Sequence, residues 1–300
     1  MKIALFVDEG NGDWHSRRLV QAFRARGVDV VTTSLKYCAF DTASATGLRI
    51  PGFDEALPDG VFVRSISHGS LEQITFRLGI LHALRESGVR VWNDARAIER
   101  CVDKSTATFL FQRAGLPVPL TLTVEGEAAA KAAYLSQTAP VVVKPLFGAQ
   151  GVGLTLAKAV GDLPPGADVG DVYYMQSFIP PNGADYHEDW RVFVSAGQVI
   201  SAMSRRSQSW ITNVAQGARP APHAPEAEMT ELALAAAKAL GADYAGVDLI
   251  RQADGNLLVL EVNSNPAWRG LQSVTKIDIA ERLAADFLAA LEGTSKTCPR

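Results

Sequence analysis

The chain has 300 residues, 47% of them hydrophobic, with a formal net charge of −3. That length implies roughly two domains with ample core, and the slightly acidic balance argues against a nucleic-acid-tracking surface. No apolar run reaches the roughly 18 residues of a membrane-spanning helix, and Cys38, Cys101 and Cys298 are too scattered for a disulfide framework or a zinc site, which suits free thiols in a reducing cytosol.

The apolar run at residues 3–7 is too short for a signal peptide and reads as a first strand, followed by a turn over 9–13. Leu19, Val20 and Phe23 recur at helical spacing up to Gly27, and residues 28–32 resume as a strand. With further strands at Val61–Val63 and 89–92, this opening predicts a small open α/β sheet. Gly10-Asn11-Gly12 is not a dinucleotide fingerprint, because the third glycine is missing and Trp14-His15 crowd the place of a pyrophosphate. His15 and His68 fall in loop-like surroundings that suit hydrogen-bonding or solvated roles. Leu71, Ile74, Leu78 and Leu81 mark a second helix closed by Gly88. Past Asn93-Asp94 the pattern changes: Asp103 caps a helix with Lys104 in its first turn, ended at Ala114-Gly115. Strands at 121–124 and Val141–Lys144 flank an alanine-rich helix, residues 161–171 form a surface loop, and a strand over 173–179 is broken by Pro180-Pro181. Strands at 190–195 and 199–205 pair across Ala196-Gly197-Gln198. The proline-rich stretch 217–225 reads as a loop or flap. Met229, Leu232, Ala236 and Leu240 share a helical face, strands at 247–251 and 257–262 join through Asp254-Gly255-Asn256, and Asp278 opens a final helix. The expected domains are 1–95, 96–178 and 179–293, with a tail at 294–300.

Chemistry concentrates in two stretches. Lys144 ends a β-branched strand, and the glycine-rich loop from Gly148 to Gly153 can wrap backbone N–H groups around an anion. By strand alternation Leu257, Val259, Glu261 and Asn263 share one face, so a carboxylate and an amide oxygen point into one space. Asp248, on the neighbouring strand, completes a hard-oxygen set suited to a magnesium ion that also grips phosphates. Lys104 and Lys144 supply the opposite charge that a nucleoside triphosphate requires. Asp189 and Arg191 share a strand face, and Arg205-Arg206 end the next strand; one arginine fork suits an acyl phosphate or a substrate carboxylate.

These residues occur in a telling order: Asp103-Lys104, Val143-Lys144-Pro145 with its glycine loop, Gln176-Ser177-Phe178-Ile179, Asp189-Trp190-Arg191, Arg205, Thr212-Asn213, Ala245-Gly246-Val247-Asp248 and Glu261-Val262-Asn263-Ser264-Asn265-Pro266. The set, spanning residues 93–278, resembles the ATP-grasp superfamily and, within it, the RimK-like carboxylate–amine ligases. The resemblance implies an α/β ATP-grasp fold, with an N-terminal open α/β (pre-ATP-grasp) domain and two α+β subdomains clasping ATP. It implies that Lys104, Lys144, Gly148, Gln150, Gly151 and Gly153 hold the phosphates. Gln176 would also bind ATP, the backbone of Ser177, Phe178 and Ile179 would meet the adenine edge, and Asp189 the ribose, with Asp185 as the competing choice. Asp248, Glu261 and Asn263 would hold Mg2+, or Mn2+ in its place. Arg191 and Arg205 would be catalytic, stabilising the transferring phosphoryl group, and Asn213 and Asn265 would place the substrate.

The implied reaction joins a carboxylate to an amine through an acyl phosphate, with 148–153 and 217–225 as lids that keep water out. Glutamate-adding members of this group continue after the asparagine with His-Arg-Gly-Gly, whereas Asn213-Val214-Ala215-Gln216-Gly217-Ala218 has no arginine. Arg219 and Arg269 are the replacements the sequence offers. The expected function is addition of an amino acid, glutamate first, to a carboxylate of a pterin-type coenzyme or other small molecule. Modification of a protein tail or an amino-group carrier protein is the alternative, and a non-catalytic ATP-binding sensor is the rival from another class. Trp210, Trp268 and Tyr244 suit either a planar substrate or simple packing. The expected partners are a carboxylate acceptor and an amino acid, without nucleic acid or membrane, in a cytoplasmic protein of a group in which homo-oligomers are common.

Overall fold

Helix caps and glycine stops divide the chain before any long-range contact forms. A computed structural model describes residues 1–8, 12–137, 139–148, 150–181 and 185–295, the side chains of 294 and 295 apart. Part of the turn expected at 9–13, Ala149 of the glycine loop, Cys298 and the end of the tail lie outside the described residues.

The first unit is a parallel sheet of β1 (Lys2–Phe6), β2 (Asp29–Thr33), β5 (Val61–Val63) and β6 (Val91–Trp92) in the order β2-β1-β5-β6, beside a ribbon of β3 (Ala39–Phe40) and β4 (Leu48–Arg49). Helices α1 (Trp14–Ala25), α2 (Leu71–Glu86) and α3 (Ala95–Val102) accompany it. Asp13 caps α1 by accepting from Ser16 N, so His15 lies in a helical first turn rather than in a loop, and it is buried. Asp94 caps α3, a helix whose periodicity was too brief to read from the sequence.

The second unit begins with α4 (Lys104–Arg113), capped by Asp103 as its sequence implies. Strands β7 (Thr121–Glu125), β8 (Val141–Lys144), β9 (Thr155–Ala157) and β10 (Val172–Ser177) form an antiparallel sheet ordered β7-β10-β8-β9, with α5 (Glu127–Leu135) and the one-turn α6 (Gly166–Val169). The loop expected over 161–171 therefore contains a helical turn, and the strand expected to reach 179 stops at Ser177.

The third unit is an antiparallel sheet of β11 (His187–Ser195), β12 (Gln198–Ser207), β13 (Arg219–His223), β14 (Tyr244–Arg251) and β15 (Leu257–Asn263), ordered β13-β12-β11-β14-β15 and packed against α7 (Ala227–Leu240). The proline-rich stretch is not a flap: it is edge strand β13, where Pro220 and Pro222 oppose Arg205 and Met203. An edge strand has one unpaired side, so it tolerates residues without an N–H. After the short α8 (Arg269–Gln272), α9 (Ile279–Ser295) runs back to the first sheet and places Phe287 against Phe23 and Phe62.

Asn93 stitches the units together. It is 0% exposed; Nδ2 donates to the carbonyls of Tyr244 (2.7 Å) and Ser264 (2.6 Å), and Oδ1 accepts from Tyr244 N at 3.2 Å. A buried amide with its bonds made fixes the seam between β6 and the ends of β14 and β15. Among the described residues no helix is long and apolar enough to cross a membrane.

Candidate active site

Four neighbouring strands carry a charged floor. Register sets Arg205 of β12 opposite Asp189 of β11, Arg191 of β11 opposite Asp248 of β14, and Asp248 opposite Glu261 of β15. Asp189 and Arg191 are two residues apart and so share a face, which joins these pairs into one ladder of alternating charge. Arg205 Nε and Nη2 reach the two oxygens of Asp189 at 2.7 and 2.5 Å, and the Thr212 hydroxyl donates to the same carboxylate at 2.6 Å. Arg191 binds both oxygens of Asp248, through Nε and through Nη2 at 2.7 Å, while Arg205 Nη2 stands 3.1 Å from Asp248. A Cβ at Gly246 would lie 2.9 Å from Arg191 Cδ, so glycine leaves room for that guanidinium. Burial by itself would raise the Asp248 carboxyl, but Arg191 and Arg205 outweigh it and hold the group below the usual carboxylate range. Burial likewise opposes the charge on Arg205, and Asp189 with Asp248 overcomes it.

On β15 the register slips. Asp248 faces Glu261, but Leu249 faces Val259, which makes Leu260 the extra residue of a bulge. The bulge resets the alternation. Leu257 and Val259 pack with Val262 in the core against α7, whereas Leu260 and Glu261 line the cleft above the floor. Glu261 and Asn263 thus do not share a face with Leu257 and Val259, contrary to simple alternation. In its satisfied orientation the Asn263 amide donates to Glu261 Oε1 and accepts from Arg191 Nη2, both at 3.3 Å. Among the described residues no trio of His, Cys, Asp or Glu makes a protein-only metal cage. Two carboxylates and an amide oxygen instead fit an ion that takes its remaining ligands from phosphates and water, as Mg2+ does.

The opposing wall comes from the second unit. Lys144, at the end of β8, donates to Gln176 Oε1 at 2.7 Å and lies 5.7 Å from the Tyr174 ring centroid. Burial, with the nearby charge of Lys104, pushes its ammonium down to about 8 against the opposing pull of Glu261 and Asp248. Gln176 is buried and donates onward to Tyr174 Oη at 2.9 Å, which fixes the amide oxygen that Lys144 meets. Lys104 Nζ donates to the carbonyl of Gly148 at 2.9 Å and holds the base of the glycine loop. That loop rests on the 211–216 segment: Gln216 Nε2 donates to the Gln150 carbonyl at 3.3 Å, and a Cβ on Gly151, at φ +72°, would meet Ile211 Cγ2 at 2.9 Å. Gly153, at φ +73°, packs as closely on Pro145.

Between floor and wall lies a cleft of about 400 Å³. Lys144, Gly151, Gln176, Ser177, Phe178, Ile179, Asp189, Arg205, Asn213, Asp248 and Glu261 border it, whereas Lys104, Gly148, Gln150, Gly153, Arg191, Asn263 and Asn265 are not in its lining. Trp210 borders it too, but Trp268 and Tyr244 are 0% exposed and serve as core. The Ser177 and Phe178 N–H groups are spent on the carbonyls of Leu120 and Pro140, which leaves their carbonyls and the Ile179 N–H for any base edge. Asp189 faces Arg205 and Thr212, while Glu188, paired with Arg206 at 2.6 Å, borders the cleft; Asp185 does not. Asn213 turns its amide oxygen to Ala215 N at 2.8 Å. Asn265 donates to the Val63 carbonyl at 2.7 Å and Tyr244 Oη at 3.3 Å, tying the end of the floor to β5. Sequence reasoning missed Arg64, a buried arginine just after β5 that donates to the Asn265 carbonyl. A lone arginine between a strand and a loop offers no periodic or motif signal.

A charged strand floor facing a lysine-bearing antiparallel sheet across a nucleotide-sized cleft is the architecture of the ATP-grasp ligases. The solved ATP-grasp ligase PsnB, complexed with minimal precursor, Mg and ADP, is similar with a TM-score of 0.73 at 23% identity, covering 97% of each chain. Residues 101–287 match the RimK-like ATP-grasp domain. The chain is 36% identical over 233 residues to the tetrahydromethanopterin:alpha-L-glutamate ligase of Methanococcus maripaludis, covering 76% of this chain and 78% of that one. To a probable alpha-L-glutamate ligase of Thioalkalivibrio sulfidiphilus it is 30% identical over 301 residues, 95% of this chain and 94% of the relative. The protein belongs to the RimK-like ATP-grasp family and is an ATP-dependent carboxylate–amine ligase.

Proposed function

We propose that the enzyme adds glutamate to a carboxylate on a coenzyme, of pterin type or another small molecule, through an acyl phosphate. One observation carries this reading: Lys144 and the Asp189, Arg205, Asp248 and Glu261 of the charged ladder border a single cleft, where a triphosphate and its transferring phosphoryl group would meet lysine and arginine together. The names of the related glutamate ligases support the choice of amino acid and of acceptor.

An acceptor carboxylate oxygen attacks the γ-phosphorus of ATP and ADP leaves; the amine nitrogen then attacks the acyl carbon, phosphate leaves, and nitrogen loses a proton. No enzyme nucleophile is needed, so catalysis reduces to positioning and charge neutralisation. Lys144, aimed by Gln176, and Lys104 at the loop base hold phosphate oxygens. Arg191 and Arg205, locked by their carboxylates, present guanidinium charge without having to reorganise. Asp248, Glu261 and Asn263 would hold Mg2+, which when bound neutralises phosphate charge. The glycine loop, seated on Ile211 and Gln216, keeps water from the acyl phosphate.

The test is Mg2+-dependent ADP release from the full chain against a panel of acceptors and amino acids, with Glu261→Ala as control. Stimulation by glutamate with one acceptor, absent in the variant, is the expected result. Tight ATP binding with no pair raising turnover above the variant would favour a nucleotide sensor instead.

A further inference from the structure

The 213–218 segment leaves a charge deficit at the site. The resemblance places an arginine for a substrate carboxylate there, the segment has none, and its Gln216 amide is used on the Gln150 carbonyl. The two replacements visible in the sequence do not meet the need. Arg219 is exposed on edge strand β13, opposite Arg206, and Arg269 is exposed beside Trp14. Arg191 and Arg205 are committed to Asp248 and Asp189.

Arg64 is placed differently. The chain leaves β1 toward β2 on one side and returns as β5 on the other, which makes the carboxyl ends of β1 and β5 a topological switch point; such points are where open α/β sheets receive ligands. Arg64 follows β5 at this switch point and is 6% exposed. Nη1 donates to the Asn265 carbonyl and Nη2 to Asp13 Oδ2, each at 3.2 Å, and the guanidinium stands 5.2 Å over the Trp268 ring. Its Nε is buried without a partner. Arg191 and Arg205, by contrast, are each held bidentately by a carboxylate. Asp13 is also half exposed and already accepts from His15 and Ser16, so it balances Arg64 without filling its fork. Asn265, which Arg64 touches, lies two residues beyond Asn263, on the loop that leaves the metal-side strand.

We propose that Arg64 binds a carboxylate of the incoming amine substrate, at the switch point between the ends of β1 and β5, in place of the arginine that the 213–218 segment lacks. The inference rests on the glutamate-ligase reading and supplies its specificity residue. A buried, partly satisfied guanidinium over an aromatic ring is suited to the bidentate capture of a carboxylate. An amine lacking that carboxylate leaves the donors unpaired, which is what gives such a site its selectivity.

The test uses the full chain saturated with ADP and Mg2+, and measures binding of L-glutamate, L-glutamine and L-isoglutamine by calorimetry. In the wild type, the amide that lacks the carboxylate held by Arg64 binds roughly 10- to 100-fold more weakly than glutamate. In Arg64→Gln that gap closes to within about twofold, and Arg64→Lys restores part of it. ADP affinity and Tm of each variant provide the structural readout: a role confined to holding the units together shifts these and weakens all three ligands equally, which would overturn the proposal. If the wild type binds glutamate and both variants discriminate as it does, this inference falls alone. If the wild type binds none of the three and turnover selects an amine without a carboxylate, the glutamate reading falls with it.

Discussion

With Lys144 holding phosphate oxygens as proposed, nucleotide binding should be a proton-linked event. The lysine's ordinary pKa near 10.5 is pushed down to about 8 by burial and by Lys104, although Glu261 and Asp248 pull the other way. A triphosphate supplies negative charge that favours the ammonium, so the bound lysine regains its proton. Affinity is therefore complete below pH 8 and falls as pH rises through that value. At pH 9 only about a tenth of the ligand-free lysine is charged, and restoring the proton costs about 1.4 kcal/mol, or tenfold in affinity relative to pH 7. Titration calorimetry at pH 9, in two buffers of different ionisation enthalpy, should record uptake approaching one proton per ATP. Lys144→Met should abolish most of the uptake and flatten the profile. Constant affinity from pH 7 to 9.5, or equal uptake in the variant, would refute the reasoning. The ligand-free protein gives an independent check. Between pH 8 and 10.5 the unfolded chain keeps a proton that the folded chain has released, so this lysine makes stability rise with pH across that window.

Asp189→Asn removes the carboxylate that grips Arg205 at 2.7 and 2.5 Å in a buried setting. Breaking such a pair costs about 3–5 kcal/mol, and differential scanning calorimetry should show Tm lowered by roughly 6–20 °C. Gly151→Ala forces a Cβ to within 2.9 Å of Ile211 Cγ2 at a φ of +72°. A strain of about 1–3 kcal/mol then opposes loop seating, and the expected outcome is a higher KM for ATP with more ADP released per amide formed, as water reaches the acyl phosphate. Unchanged coupling between ADP and amide would count against the loop as a water barrier.

Much of this enzyme is legible locally. Asp103 caps α4, Gly241 stops α7, and apolar spacing marks α1, α2 and α9, because a few adjacent residues suffice to satisfy or break a helical turn. The β-branched run before Lys144 and the apolar run before Glu261 mark their strands for a similar reason, and the ordered motifs supply many of the residues that border the cleft, though Lys104, Arg191, Asn263 and Asn265 are not in its lining. Neighbour-dependent features were not legible. The bulge at Leu260 follows from the register of β15 on β14, and only it explains why Glu261 faces the cleft while Val259 faces the core. β13 is a strand because β12 lies beside it, despite its prolines. Asn93, His15 and Arg64 find their partners in Tyr244, Trp268 and Asn265, each more than two-thirds of the way along the chain. Residue type and spacing thus determine which groups this protein can bring to a site. Which of them are locked in ion pairs, and which retain an unmet donor, is decided only when distant strands settle into register and shut water out.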